Sequence, residues 1–306
     1  MRNIIFKITR ENELRIIKDF LRNFGVSSAL LKKLKCSECG ILVNGKHARA
    51  IDLLHTGDLL EINIEQGGDA PSPMECGALP DVVYEDEDII AFNKPPFMPV
   101  HESRNHRGDA LSNAYASLCG NQCGSFRAVY RLDRDTSGIV VAAKNELAAS
   151  KLAGKIKKDY YAVVKGSLAC NGGIIDAPIA RKEQSIIERC VSQSGERAVT
   201  RWETVLSENG LTLVKLNLET GRTHQIRVHF SFLGMPLAGD TLYGGNLNLI
   251  NRQALHCKSV SFFHPVSGNE IKLDCAFPQD FKPLINLKRI KGSRLYENYT
   301  ELSDRP

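Results

Sequence analysis

No stretch of this chain approaches the roughly 20 consecutive apolar residues of a membrane-spanning helix, so a membrane partner is not expected. Met1 to Arg10 has neither a long apolar core nor a small-residue cleavage pattern, which argues against a secretory signal. There is no P-loop, no G-x-G-x-x-G fingerprint and no G-x-S-x-G elbow. Common nucleotide-cofactor and serine-hydrolase readings therefore lose their footing, and no cofactor is implied. No second cysteine pair matches the C-x-x-C of Cys36 and Cys39, and the Cys119/Cys123 spacing does no better. A structural zinc usually needs two such pairs, so no metal is expected. The nine cysteines are odd in number and form no framework. Reduced thiols in a cytoplasmic protein are the expectation. Internal repeats and low-complexity tracts are also missing.

What remains is ordinary globular material: 306 residues, 42% hydrophobic and 25% charged, enough for one large or two ordinary domains. The net charge of +5 is mildly basic, but its distribution is uneven. Residues 15–49 hold Arg15, Lys18, Arg22, Lys32, Lys33, Lys35, Lys46 and Arg49 against only Asp19 and Glu38. That local excess exceeds the charge of the whole chain and fits a nucleic-acid partner. Leu14, Ile17, Leu21 and Phe24 share one face of an amphipathic helix, which Gly25 can stop. Ser27-Ser28 offers cap hydroxyls for a second helix from Ala29 to Lys35. Ile41-Leu42-Val43 reads as a strand ending in the tight turn Asn44-Gly45. Leu59 to Ile64 alternates as another.

Gly67 to Asp81 is rich in Gly and Pro and reads as a linker between a first domain, 1–66, and a second, 82–306. In the second, Asp88 to Phe92 is a strand ended by Asn93-Lys94-Pro95-Pro96. His101-Glu102-Ser103-Arg104-Asn105-His106 misses the H-E-x-x-H zinc spacing by one residue and reads as loop. The densest polar stretch is Arg131-Leu132-Asp133-Arg134-Asp135-Thr136-Ser137-Gly138, feeding the apolar run Ile139 to Ala143. A buried strand can hold such a turn rigid. Residues 146–158 form a helix whose Lys155, Lys157 and Lys158 suit its C-terminal dipole. Tyr160 to Val164 is a strand with Tyr160, Ala162 and Val164 on one side and Tyr161 and Val163 on the other. Leu211 to Leu218 is a further strand. His224 to Phe230 is expected to return as another, with Gln225, Arg227 and His229 on its polar face. An arginine there suits carboxylate or phosphate pairing. After a loop from Gly234 to Gly244, a last strand pair is broken by His264-Pro265 to Gly268. Lys282, Lys288, Arg289, Lys291 and Arg294 make the tail basic.

Two resemblances organise these pieces. The order helix, basic helix, I-L-V-N-G-K and T-G-D-L-L-E-I at 56–62 resembles the ribosomal-protein-S-four type RNA-binding domain. R-L-D-R-D-T-S-G at 131–138, K-D-Y-Y-A-V-V-K-G at 158–166, T-G-R-T-H-Q-I-R-V-H at 220–229, G-M-P-L-A-G-D-T-L-Y-G at 234–244 and R-Q-A-L-H at 252–256 together resemble the RluA/RluD family of RNA pseudouridine synthases. The resemblance implies an α+β fold, with a mixed, mainly antiparallel sheet forming the catalytic domain and a small α/β RNA-binding domain before it. It implies that Asp133 is the catalytic aspartate, that Tyr160 stacks on the target base and is a candidate proton acceptor at carbon five, and that Arg227 pairs with Asp133. Arg131 then contacts RNA, as do Arg222, His224 and Gln225 and the basic residues Arg15, Lys18, Arg22, Lys32, Lys33, Lys35 and Lys46. The chain departs from the family pattern at Tyr130, where histidine is usual, at Pro96-Phe97 and at Glu102.

The implied reaction breaks the glycosidic bond of a uridine, turns the base and rejoins it through carbon five, with no electron exchanged. Extruding a base costs a few kcal/mol; stacking on an aromatic ring returns about 1–3 kcal/mol. A paired arginine favours an ionised carboxylate and fixes its direction. The expected partner is RNA, ribosomal RNA first and transfer RNA as the alternative, met by a cytoplasmic monomer. Two other classes compete: an RNA-binding or ribosome-assembly factor without chemistry, and a glycoside hydrolase, which usually needs two flanking carboxylates.

Overall fold

The structure, a computed structural model, describes residues 1–65, 70–75, 77–120, 124–168 and 170–286. Part of the linker, Cys123 and the tail cations Lys288, Arg289, Lys291 and Arg294 lie outside these residues. No helix among the described residues is long and apolar enough to cross a membrane.

The chain begins with a small α/β unit: β1 (Arg2–Lys7), α1 (Ile17–Phe24), α2 (Ser28–Cys36), β2 (Ile41–Val43), β3 (Lys46–His47) and β4 (Leu59–Ile64). Its sheet runs β1-β4-β2-β3, antiparallel throughout. Asn44 and Gly45 both adopt the left-handed backbone, at φ 51° and 75°, that a two-residue hairpin turn requires. Ser27 caps α2 by accepting the Leu30 N–H. α1 starts later than the spacing predicts. The backbone around Leu14 is already paired, its N–H donating to the Leu54 carbonyl at 2.8 Å while Leu54 donates to Arg15 at 3.0 Å. Leu14 is therefore exposed, and Ile17 and Leu21 carry the buried face.

The second unit follows with β5 (Asp81–Glu85), β6 (Ile89–Lys94), α3 (Leu111–Cys119), β7 (Arg127–Ala128), β8 (Ser137–Ala143), α4 (Glu146–Leu152), β9 (Lys157–Lys165), β10 (Gly172–Asp176), β11 (Ile179–Arg181), β12 (Arg189–Val191), β13 (Val199–Glu208), β14 (Leu211–Leu218), α5 (Gln225–Phe232), β15 (Leu255–Phe263) and β16 (Glu270–Asp274). A ten-stranded sheet runs β10-β13-β14-β9-β15-β8-β6-β5, with β16 beside β15 and β7 beside β8. Among the described residues only β15 and β8 pair in parallel. The fold is therefore α+β with a mixed, mainly antiparallel sheet. β8 is buried along its whole length. β9 divides as its alternation predicts: Tyr160, Ala162 and Val164 join the large core, Tyr161 and Val163 a smaller one with Phe277 and Phe281.

Two expected elements change. α4 ends at Leu152, because Gly154 at φ 70° turns the chain toward β9. Lys155, Lys157 and Lys158 thus serve no helix dipole. Residues 225–232 form helix α5 instead of a strand. Ile226 and Phe230, one helical turn apart, enter the large core, while Val228 packs with Ile179 and Ala198. The two units meet across α4: Leu147 is buried in the core of the first, and the Lys151 ammonium lies over the Phe24 ring at 3.8 Å. Arg2 of β1 donates two hydrogen bonds to the buried Asp88, both at 3.0 Å.

Candidate active site

A cleft of about 690 Å³ opens beside β8, β9 and the start of α5, lined by Arg131, Asp133, Tyr160, Arg222, His224 and Arg227 among others. Its floor is the turn formed by residues 131–138. Thr136 N–H donates to the Asp133 carbonyl at 3.1 Å, closing the turn. Two buried cations clamp it from below. Lys94, at the end of β6, donates from Nζ to the carbonyls of Arg134, Pro95 and Met98 at 2.8–2.9 Å. Arg252 donates to the Asp135 carbonyl at 3.1 Å and to Ser137 Oγ at 3.2 Å, while its other edge grips Asp280. Burial, reinforced by the Arg252 charge, pushes the Lys94 ammonium down to about 7. Gly138 closes the turn where no other residue fits. Its φ is 115°, and a Cβ there meets the Cys257 carbonyl oxygen of β15 at 2.2 Å. Arg134 pairs with its neighbour Asp135 at 2.6 and 3.1 Å.

Above this floor stands the carboxylate of Asp133, partly exposed to the cleft. Arg227, on the first turn of α5, donates from Nη1 to Asp133 Oδ2 at 3.1 Å. Its remaining edge is committed to Asp240, with Nε to Oδ2 at 2.7 Å and Nη2 to Oδ1 at 2.9 Å. Asp240 is 1% exposed and Arg227 7%. The guanidinium also lies 5.0 Å from the centre of the Tyr243 ring. Burial works against this cation, yet its bonds to Asp240 and Asp133 hold its pKa above the ordinary arginine value. Asp240 thus fixes the arginine, and the arginine aims one carboxylate oxygen of Asp133.

Tyr160 lines the cleft from β9 and is 6% exposed. Burial first, then the nearby Cys257 and Asp133, raise its pKa well above the ordinary phenol value. The phenol is thus held protonated, with its ring at the cleft wall. Tyr130 ties the turn to β8, its hydroxyl donating to the Ile139 carbonyl at 2.9 Å.

The other expected RNA-facing residues divide. Arg131 is exposed at the cleft wall. Arg222 is half-exposed, paired with Glu196, and donates to the Arg197 carbonyl at 3.1 Å. His224 is largely buried, with Nε2 3.9 Å from Asp133 Oδ2. Gln225 is misassigned by the strand expectation. It is 2% exposed, and its amide binds Val199, Thr200, Thr220 and the Arg222 N–H, which leaves it a scaffold role. Arg15, Arg22, Lys32, Lys33, Lys35 and Lys46 are exposed on the first unit, and Lys18 is partly buried. Lys33 is engaged by Glu146. His101 and His106 do not converge: His106 binds Asp109 at 2.8 Å, and His101 packs edge-on against Phe126. Among the described residues, three possible metal ligands gather only at Asp86, Asp88 and His264. They are already partnered by Tyr84, Asn145, Arg2 and one another.

Lys94, Asp240, Tyr243 and Arg252 are the functional neighbours that spacing alone did not single out. Each sits inside a motif quoted above, but nothing in its spacing announces a buried partner.

Residues 88–232 match the family model described as RNA pseudouridylate synthase. The chain is 40% identical over 278 residues to the uncharacterized RNA pseudouridine synthase YjbO of Bacillus subtilis, covering 88% of this chain and 98% of that one. It is 34% identical over 270 residues to ribosomal large subunit pseudouridine synthase D of Pseudomonas aeruginosa, covering 81% and 84%. Among solved structures it resembles human RNA pseudouridylate synthase domain containing 1, with a TM-score of 0.55 at 24% identity over 69% of this chain and 89% of that one. The corresponding human domain containing 4 gives 0.54 at 22% identity over 66% and 92%.

Proposed function

Because this chain belongs to the RNA pseudouridylate synthase family and is an RNA pseudouridine synthase, an isomerase, we propose that Asp133 is its catalytic aspartate and large-subunit ribosomal RNA its substrate. The observation that carries the first part is the aimed carboxylate: Asp133 faces the cleft, held at 3.1 Å by an arginine that Asp240 holds in turn. The same carboxylate serves either attack on the anomeric carbon or removal of the neighbouring sugar proton. Both release the uracil from its sugar, and both let it turn and rejoin through carbon five. Tyr160 packs against the base while it is detached, and Arg131 meets the RNA where the base has left the stack.

The substrate reading is supported by the relatives whose names specify the large ribosomal subunit. It is supported too by the exposed cations of residues 1–66, which we read as an RNA-binding domain of the ribosomal-protein-S-four type attached to a catalytic domain at 82–306. The scattered cysteines favour a reducing, cytoplasmic setting, and the enzyme is read as a monomer. Sizing chromatography tests the last point.

The decisive experiment is tritium release from RNA labelled at uridine carbon five. Wild-type enzyme releases tritium from ribosomal RNA of a strain lacking the gene, and Asp133→Asn binds the same RNA and releases none. Turnover by that variant removes Asp133 from the chemistry. Release from transfer RNA alone overturns the substrate, not the activity.

A further inference from the structure

Asp133 is approached by a second side chain, from the residue that opens α5. His224 has φ 58°, in the left-handed region that any residue with a Cβ enters at a cost. Strain of this kind collects at functional sites. Here it brings the imidazole between two partners. Nε2 lies 3.9 Å from Asp133 Oδ2, and Nδ1 lies 2.8 Å from the Tyr243 hydroxyl.

The Tyr243 hydroxyl selects the tautomer when its hydrogen points at His224. It accepts the backbone N–H of Arg189 at 2.9 Å, and a phenol has a single hydrogen to give. Directed at His224, that hydrogen makes Nδ1 an acceptor. A neutral imidazole whose Nδ1 accepts carries its proton on Nε2, the atom that faces Asp133. Tyr243 is itself fixed, its carbonyl accepting from Ser231 Oγ at 2.8 Å and its ring packed beneath Arg227. The charges facing His224 are Asp133 and Asp240, which favour the imidazolium, and Arg227 and Arg189, which oppose it. Burial is the largest influence, and the balance lowers the pKa below the ordinary histidine value.

We propose that His224, oriented by Tyr243, is a positioning residue that presents its Nε2–H to Oδ2 of Asp133 and, with Arg227, reserves Oδ1 for the chemistry. The inference rests on Asp133 being the reacting carboxylate. Both held contacts fall on the same oxygen, Oδ2. At 3.9 Å the histidine contact is longer than a hydrogen bond. Such contacts are commonly long before substrate arrives and tighten in the complex. Protonating His224 puts a hydrogen on Nδ1 against the Tyr243 hydroxyl hydrogen and an imidazolium against Asp133. Activity therefore requires the neutral ring.

The test has two readouts. Nitrogen-15 NMR of histidine-labelled full-length protein, with the His224 signal assigned by its loss in His224→Gln, reads the tautomer without any substrate. We expect Nε2–H with a bare Nδ1 at pH 7.5, and a His224 pKa that falls in Asp133→Asn because the favouring charge has gone. The opposite tautomer, or a pKa unmoved by that substitution, overturns the proposal. In tritium release, His224→Leu lowers kcat about tenfold, the worth of one ordinary hydrogen bond, with KM nearly unchanged. His224→Gln, whose amide can reach the Nε2 position, recovers part of the loss. Tyr243→Phe moves the acid limb of kcat to higher pH, because Nδ1 loses its donor. Equal losses in the Leu and Gln variants, or a fixed acid limb, reduce His224 to a structural helix start. A wild type that releases no tritium rejects the activity reading and leaves the NMR result standing.

Discussion

The two carboxylates on Arg227 are equal in charge and unequal in role, and their substitution separates stability from chemistry. Asp240 is 1% exposed and takes two hydrogen bonds from the guanidinium. Asp133 takes one, and its side chain is 27% exposed. Removing one partner of a buried pair costs about 3–5 kcal/mol, because the other charge is left uncompensated. Asparagine at 240 keeps one acceptor, and Asp133 remains as a counter-charge, so Asp240→Asn is expected at or below the bottom of that range, about 2–3 kcal/mol. At about 2–4 °C per kcal/mol for a domain of this size class, Tm falls by roughly 4–12 °C. Asp133→Asn leaves Arg227 with its bidentate partner and relieves only a half-solvated contact, so its cost stays under about 1 kcal/mol. Activity runs the other way. Asp133→Asn abolishes tritium release. Asp240→Asn lowers kcat about ten- to a hundredfold, the effect of a displacement of about 1 Å at the reacting group. Urea denaturation and tritium release on the same four proteins, wild type, each single variant and the double, give both columns. The double variant should lose more stability than the singles add up to, because the buried guanidinium then has no anion. If Asp133→Asn destabilises as much as Asp240→Asn, or Asp240→Asn is neutral, the division between holding and reacting carboxylate is wrong.

Three further outcomes follow from the clamped turn. Lys94→Met keeps the volume but strands three carbonyls, one of them fully buried, and should cost about 2–4 kcal/mol in denaturation and depress turnover; an unchanged midpoint refutes the clamp. Gly138→Ala must force both the left-handed backbone and the Cys257 carbonyl at 2.2 Å, so it should give insoluble protein or lose more than about 3 kcal/mol, whereas a soluble variant with the wild-type urea midpoint refutes the close approach. His256 is wholly buried against Ser137 Oγ and Cys275 Sγ, and burial, with the Arg252 and Lys258 charges, pushes it down to about 3. Its folded pKa lies below the unfolded value, so the stability it contributes is fully present above about pH 6.5 and drains as pH falls toward 3, at up to about 1.4 kcal/mol per unit. The slope of stability against pH in that window should flatten in His256→Gln; an unchanged slope assigns the acid sensitivity elsewhere.

Where one period explained a segment, the sequence was enough. β9 has an alternation that no helix shares, and its two faces entered different cores. Asn44-Gly45 admits few structures besides a tight hairpin, and both residues took positive φ. The segment 225–232 satisfied two periods. Ile226, Val228 and Phe230 alternate like a strand, yet Ile226 and Phe230 are also one helical turn apart. Tertiary packing decided, since Val228 found a separate pocket with Ile179 and Ala198. That one ambiguity also changes where Gln225 points: a strand puts it on the polar face with Arg227 and His229, whereas the helix turns it inward onto Val199 and Thr200.

The residues that complete the site were hidden for a different reason. Lysine and arginine are seldom buried, so Lys94 reads as the polar end of a strand and Arg252 as a loop cation. Their burial becomes sensible only when the turn at 131–138 is seen to present inward-facing carbonyls and Ser137 Oγ, which an ammonium and a guanidinium satisfy. Asp240 lies in a glycine-containing loop that looks like a connection, and its partner is fixed by the helix that the alternation concealed. The carboxylate proposed to react is therefore the cleft-facing end of a chain of buried charges. Asp240 holds Arg227, Arg227 aims Asp133, and Lys94 and Arg252 hold the backbone beneath it. The placement of Asp133 is set by buried groups beneath and behind it, and the site should accordingly fail first through them.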